Sequence, residues 1–322
     1  MPINHEQAQG FQHNFNQMVD NVAIAIRGKN QTIELALTCL LTGGHLLLED
    51  NPGTGKTVLA KAIANTVAGT NSRIQFTPDL LPSDLTGISV FDQRSGAFEF
   101  HPGPVFANIV LADEINRASP KTQAALLEVM EESTVTVDGV RREVGSPFMV
   151  VATQNPIEQA GTYRLPEAQL DRFLMKLSVG YPDHDATVEL LQQAETRDRA
   201  SAVSAVIAPQ ALGQMAAFAN QTYVDPAILD YVARLAEASR AHPHVRLGLS
   251  MRGALAYIRV AKTWAVAHGR EYVTPDDIKA LATPILSHRL LLSADAQFAG
   301  SQIAEVIDSL IASVVAPSLR AE

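Results

Sequence analysis

Asp50-Asn51-Pro52-Gly53-Thr54-Gly55-Lys56-Thr57 decides the reading of this chain, and it follows directly on the apolar run His45-Leu46-Leu47-Leu48. A short buried strand, a glycine-rich turn, Gly-Lys-Thr and a helical pattern over Val58–Ala68 together make a phosphate cradle. Gly53 and Gly55 permit φ > 0 and let backbone N–H groups approach an anion. Lys56 can reach the β- and γ-phosphates and the Thr57 hydroxyl can hold Mg²⁺. The helix that follows aims its positive N-terminus at the phosphates. The full pattern G-x-x-x-x-G-K-[ST] asks for Gly at the position that Asp50 fills. An ordinary strand-to-helix turn is the plainer reading of these residues; the flanking strand and helix are the context that favours the cradle.

The chain of 322 residues is long enough for two domains, or one large domain with an appendage. Apolar residues make up 47% and charged ones 18%, an ordinary globular balance. No apolar run approaches the ~20 residues of a membrane span, and the N-terminus lacks a signal-peptide profile. The expectation is a cytoplasmic protein. The single Cys39 lies on a helical pattern among Leu, Ala and Thr and reads as a packing residue, so neither a disulfide scaffold nor a cysteine metal site is expected. His242-Pro243-His244 reads as a surface turn. Net charge is −9 with no dense Lys/Arg cluster, which argues against a protein whose main task is gripping nucleic acid.

Helical spacing of Met18, Val22 and Ile26, then Ile33, Ala36 and Leu40, marks a lead-in broken by Gly28 and Gly43-Gly44. Strands are expected at Leu46–Leu48, Arg73–Phe76, Ile109–Leu111, Phe148–Ala152 and Phe173–Val179, with a helix over 120–132 opened by Pro120. Helices alternating with continuous apolar strands predict an α/β fold: a mostly parallel sheet covered on both faces. Gly87–Phe100 and Thr134–Val144 read as two hairpin inserts, the second turning at Asp138-Gly139. Tyr181-Pro182-Asp183 suggests a boundary, with an α/β part over 1–181 and an all-helical part over 182–322. In the latter, Leu255, Ile258, Ala261 and Ala265 form a stripe behind the N-cap Ser250, and Gly269 ends that helix. Thr274-Pro275-Asp276-Asp277 opens another.

Asp113 and Glu114 end an apolar strand, where an α/β sheet has its ligand-binding edge. Asp113 can hold Mg²⁺ through water, and Glu114 can deprotonate an attacking water, a contribution of about 10²–10⁴-fold. The pair argues for hydrolysis, in contrast to kinases, which exclude water. Asn155 closes the strand Phe148–Ala152 through Thr153-Gln154, and its amide can bond both a γ-phosphate oxygen and the nucleophilic water. Arg172 precedes another strand; arginine stabilises phosphoryl-transfer charge and such a finger is worth about 10³–10⁵ in rate. Taken alone, Arg172 beside Asp171, like Arg252, reads as a surface ion-pair residue.

The order of cradle, Asp-Glu strand, Asn-ending strand, Arg and helical lid resembles the AAA+ ATPases. Three stretches resemble their MoxR family in particular: Ile109-Val-Leu-Ala-Asp-Glu-Ile-Asn-Arg-Ala118, Ala152-Thr-Gln-Asn-Pro156, and Gly161-Thr-Tyr-Arg-Leu-Pro-Glu-Ala-Gln-Leu-Asp-Arg-Phe173. The hairpin inserts match the helix-2-insert clade. The resemblance spans roughly residues 10 to 310 and is most specific over 45–180. It implies an ATP-binding Walker A over Asn51, Pro52, Gly53, Thr54, Gly55, Lys56, Thr57 and Val58, with Asp113 and Glu114 as Walker B and Thr57 and Asp113 on Mg²⁺. It further implies Asn155 as sensor 1, Arg172 as a finger acting on a neighbouring subunit, Arg252 as sensor 2, and Arg117 as a second interface arginine. Asn51 stands where the family has Val and Arg164 where it has Pro. Gly248-Leu-Ser-Met-Arg-Gly253 stands for Gly-Ala-Ser-Pro-Arg-Ala.

On that resemblance the chain is expected to be an ATPase forming a homo-oligomer, a ring hexamer, with ATP and Mg²⁺ as its cofactors. Its work would be chaperone-like maturation of a client complex, such as metal-cofactor insertion, alongside a von Willebrand factor A domain protein. ATP rather than GTP follows from the family and from the absence of Asn-Lys-x-Asp. Three alternatives stand beside this one: a nucleic-acid-stimulated motor, motivated by Arg141-Arg142 on the second hairpin; a nucleotide-gated binding module without turnover; and the ATPase subunit of a magnesium-chelatase-like complex.

Overall fold

The computed structural model describes residues 3–51, 53–155, 162–192 and 198–318. Pro52 of the cradle, and Pro156 and Gly161 of the quoted motifs, lie outside the described residues. Two helices come first, α1 (His5–Ala23) and α2 (Asn30–Leu41). The strands that follow are β1 (Leu46–Glu49), β2 (Asn71–Gln75), β3 (Gly87–Asp92), β4 (Ala97–Pro102), β5 (Ile109–Asp113), β6 (Thr134–Val137), β7 (Val140–Glu143), β8 (Met149–Gln154) and β9 (Met175–Leu177). They alternate with α3 (Lys56–Thr66), α4 (Pro82–Thr86), α5 (Pro120–Glu132) and α6 (Glu167–Leu170).

Five of these strands make one sheet in the order β2-β5-β8-β1-β9, every neighbouring pair parallel. The continuous apolar runs are explained by cover on both faces. Leu46 and Leu48, Ile109 and Leu111, and Met149 and Val151 point into one core with α1, α2 and α3. Leu47, Val110, Ala112, Val150 and Ala152 point into the other, against Leu126 and Leu127 of α5. Because all five strands run the same way, the sheet has a carboxyl rim and an amino rim of different chemistry. The cradle, Asp113 and Asn155 follow the ends of β1, β5 and β8 at the carboxyl rim.

Both expected hairpins form as antiparallel pairs, β3 with β4 and β6 with β7. The second turns on Asp138 (φ +51°) and Gly139 (φ +74°), the two positive φ values of a type I′ turn. The helix after the cradle begins at Lys56, two residues earlier than its apolar pattern suggests, because Gly55 at φ +93° already reverses the chain.

The C-terminal part contains α7 (His184–Gln192), α8 (Pro209–Ala219), α9 (Pro226–Ala241), α10 (Met251–Ala267), α11 (Pro275–Leu286), α12 (Ala294–Phe298) and α13 (Ile303–Ser313). It is not purely helical: β10 (Val245–Leu247) pairs antiparallel with β11 (Leu291–Leu292), strands too short to show alternation in sequence. Ser250 caps α10 by accepting from Gly253 N–H, and Thr274 and Asp277 form a capping box on α11. The buried face of α10 runs through Ala256, Tyr257, Val260, Ala261 and Trp264. Leu255, expected on that stripe, is 60% exposed, since it sits two residues, about 200°, round the helix from Tyr257, which fills the core. Of these helices, α8, α9, α10, α11 and α13 share one continuous core with α1, α2 and the adjoining face of the sheet. Among the described residues no helix is long and apolar enough to cross a membrane.

Candidate active site

The cradle is a loop held from both ends. Asp50 is buried, and its carboxylate accepts from Ser178 Oγ at 2.7 Å, Val179 N–H at 2.5 Å and Gly180 N–H at 3.2 Å. The residue that breaks the glycine pattern therefore pins the loop to the segment leaving β9. Gly53 at φ +82° and Gly55 at φ +93° take conformations that a side chain would strain. Lys56 Nζ donates to the carbonyls of Asp50 at 2.9 Å and Asn51 at 3.3 Å, so its charge lies across the loop. Thr57 is exposed on the first turn of α3, and Val58 is half-buried beside it.

A cavity of about 130 Å³ adjoins the glycines. Ala25, Ile26, Val58, Val179, Pro182 and Leu190 give it apolar walls, and Arg27, Lys29 and Arg199 bring positive charge to it. Lys29 Nζ donates to Tyr181 O at 2.7 Å, tying one wall to another. Of these residues the sequence marks only Val58 for the site; Ile26, Val179 and Pro182 read there as helix, strand and boundary residues, and the set comes from separate segments with no shared pattern.

On the same rim, across β8 from the cradle, Asp113 and Glu114 form one hydrogen-bonded unit with Thr153. The Thr153 hydroxyl donates to Asp113 Oδ1 at 2.6 Å and accepts from Glu114 N–H at 2.9 Å. Glu114 sits at φ +57°, a left-handed conformation rare outside glycine, which turns its side chain away from the strand direction. Its Oε2 accepts from Gln75 Nε2 at 2.9 Å and Arg117 Nη1 at 2.8 Å. Asp113 Oδ2 accepts from Arg73 at 2.7 Å. Arg117, expected at a subunit boundary, thus bonds the carboxylate of its own chain. Asn155, buried at the end of β8, follows Gln154, whose carbonyl accepts from Asp50 N–H.

The residues present suit a hard divalent cation. Among the described residues no group of three or more His, Cys, Asp or Glu could hold a metal. For such a cation the rim offers the Thr57 hydroxyl and the Asp113 carboxylate, and Mg²⁺ is commonly bound through one or two such oxygens plus phosphates and waters.

Arg172 and Arg252 are elsewhere. Arg172 stands three residues before β9, whose first residue, Met175, pairs with Leu46 at the start of β1. It therefore lies at the amino rim, on the order of 13 Å or more from the cradle by the rise of a four-residue strand. There Arg172 pairs with Glu131 Oε2 at 2.9 Å and Arg252 with Glu131 Oε1 at 3.3 Å. Arg164 is exposed.

The basic pair of the second hairpin faces the first hairpin and α5. The Arg142 guanidinium lies 3.9 Å over the Phe100 ring and donates to the carbonyls of Val137 and Val140. Arg141 faces Glu132 at 4.0 Å.

The profile of the ATPase family associated with various cellular activities (AAA) matches residues 45–175, and that of the AAA lid domain matches 237–310. The protein YeaC of Bacillus subtilis is 45% identical over 302 residues, covering 94% of this chain and 94% of that protein. Chaperone MoxR1 of Mycobacterium tuberculosis is 40% identical over 319 residues, covering 96% of this chain and 84% of its own. The crystal structure of a candidate ATPase from Cytophaga hutchinsonii superimposes with a TM-score of 0.90 at 36% identity, over 97% of this chain and 98% of the other.

Proposed function

Because the chain belongs to the MoxR family of chaperone-like AAA ATPases, we propose that it hydrolyses ATP at the carboxyl rim of the sheet to drive remodelling of a client complex. The observation that carries this reading is the placement of an anion-accepting loop and a carboxylate pair on one rim of the sheet, at the ends of β1 and β5 with β8 between them. Gly53, Gly55 and Lys56 receive the phosphates, and the apolar cavity beside them takes the base. Glu114 accepts a proton from water as the water oxygen bonds to the terminal phosphorus and the bond to the bridging oxygen breaks. Gln75 and Arg117 hold that carboxylate before it acts, and Asn155 orients the water. Mg²⁺, held by Thr57 and through water by Asp113, would neutralise charge developing on the phosphate oxygens.

Arg172 and Arg252, at the amino rim, are too far to serve their own chain's cradle. Their position supports action on a neighbour, and hence a ring, which the family resemblance gives as a hexamer. Partnership with a von Willebrand factor A domain protein, and metal-cofactor insertion as the work performed, rest on the same resemblance. A nucleic-acid motor is less well supported, since Arg142 stacks on Phe100 and donates to two carbonyls of its own hairpin, leaving only Arg141 exposed beside Glu132. Glu114→Gln tests the proposal: ATP binding stays, while phosphate release falls by about 10²–10⁴-fold, the contribution of a positioned base. A variant that hydrolyses at the parent rate overturns it.

A further inference from the structure

Asp171 touches no part of the cradle, yet it joins every element that carries the two amino-rim arginines. Its Oδ1 accepts from Arg289 Nε at 2.7 Å and its Oδ2 from Ser250 Oγ at 2.8 Å. Asp171 immediately precedes Arg172, and Ser250 caps the helix whose second residue is Arg252. Arg289, three residues beyond α11, has a side chain only 2% exposed. Its Nη1 donates to the Leu174 and Ile285 carbonyls at 3.1 and 2.6 Å, and its Nη2 to Phe173 O at 2.7 Å. His288 Nε2 adds a second bond to Phe173 O at 2.9 Å. Residues 171–174 are thereby fastened to the C-terminal helices by a buried cation whose counter-ion is Asp171. On the far side of the same junction, both guanidiniums meet the two oxygens of Glu131.

We propose that Asp171 is a positioning residue that locks Arg172 to the α10 N-terminus, so that Arg172 and Arg252 are presented to a neighbouring protomer's nucleotide as one rigid pair. The inference rests on the reading that Arg172 acts across a subunit boundary. Two long side chains on independent elements would each have to be ordered when they meet a phosphate. Tied through Asp171, they are ordered in advance, and a displacement of about 1 Å in such a pair is worth on the order of 10²-fold in rate. The lock also gives a physical path between sites: helices that shift with one chain's nucleotide carry with them the arginines offered to the next.

The test uses the full chain at concentrations that form the assembly. Ser250→Ala removes the α10 link and leaves the Asp171–Arg289 pair intact, whereas Ser250→Thr keeps the hydroxyl. Asp171→Asn keeps the shape and removes the charge. Ser250→Ala and Asp171→Asn are expected to lower kcat about 10- to 100-fold with KM for ATP unchanged, and Ser250→Thr to restore the parent rate. Mixed with Lys56→Ala protomers, which lack a working cradle but offer intact arginines, both defective variants should recover turnover, because their own cradles are sound. Arg172→Ala mixed with Lys56→Ala is the control. If the control recovers and the Asp171→Asn and Ser250→Ala mixtures do not, Asp171 only stabilises its own chain and the inference falls. If the control itself fails, the cross-boundary reading fails first. Should Asp171→Asn not fold, Ser250→Ala decides alone, and an unchanged kcat overturns the inference.

Discussion

Gly253 and Arg289 are shaped to one another: a Cβ placed on Gly253 would lie 2.9 Å from Arg289 Cδ and 3.1 Å from its Nε. The same atom would lie 2.5 Å from Leu249 Cδ1. The buried guanidinium passes over the first turn of α10, and only a residue without a side chain leaves it room. This gives a physical reason for glycine at a position where the family pattern has alanine.

Gly253→Ala should therefore destabilise the protein, although alanine is the better helix former by about 1 kcal/mol. Overpacking a fixed neighbour costs about 1–3 kcal/mol, and Arg289 cannot swing aside without releasing Phe173, Leu174 and Asp171. A lower Tm together with a lower kcat is the expected result. A raised Tm would show that Arg289 yields easily.

Thr153→Val replaces a fully buried hydroxyl with a methyl group of nearly the same shape. It takes away the donor to Asp113 and the acceptor of Glu114 N–H. Glu114, already in a left-handed conformation, loses the bond that holds it there. The expectation is a kcat reduced about 10- to 100-fold by misplacement of the base, with ATP binding retained in an equilibrium measurement. Loss of ATP binding, with the hydrolytic step unaffected, would contradict this account.

Acid sensitivity should come from two buried imidazoles. His45 Nε2 donates to Met130 O at 2.8 Å and Nδ1 accepts from Val150 N–H at 3.0 Å, which fixes the neutral ring. Burial lowers its pKa from 6.5 to about 4, and burial holds His288 well below its ordinary value too. Above pH 6.5 both rings are neutral folded or unfolded, so stability is full. As pH falls from 6.5 towards 4, the unfolded chain takes up protons that the folded one refuses, and stability is lost. For His45 the whole loss is about 3 kcal/mol. Urea unfolding across this range should show the decline, and His45→Asn should flatten its slope by about one proton. A slope unchanged in that variant would assign the loss elsewhere.

The cradle, the Asp113-Glu114 strand and both hairpins were legible because each is written within a few adjacent residues, where local backbone requirements dictate residue type. Asp138-Gly139 could be read as a turn since almost nothing else tolerates two positive φ values. What escaped were relations across the sheet and between its ends. Arg73 and Gln75 reach Asp113 and Glu114 only because β2 lies beside β5, a neighbour relation that polar side chains on an edge strand do not announce. Asp50 looked like a defect in the motif, since its partners lie 128 to 130 residues away. Asp171 and Arg289, separated by 118 residues, pass singly for surface charges until the burial of Arg289 shows that one requires the other.

If Arg172 acts on a neighbouring chain as proposed, a protein whose phosphate-binding end and whose arginine end face opposite ways would pass its faults along. In a cell that makes both sound and altered copies, a chain that folds but lacks Arg172 would then enter assemblies and disable a healthy companion. Alleles of that kind would be inherited as dominant, while alleles that leave the chain unfolded, and so outside any assembly, would be recessive.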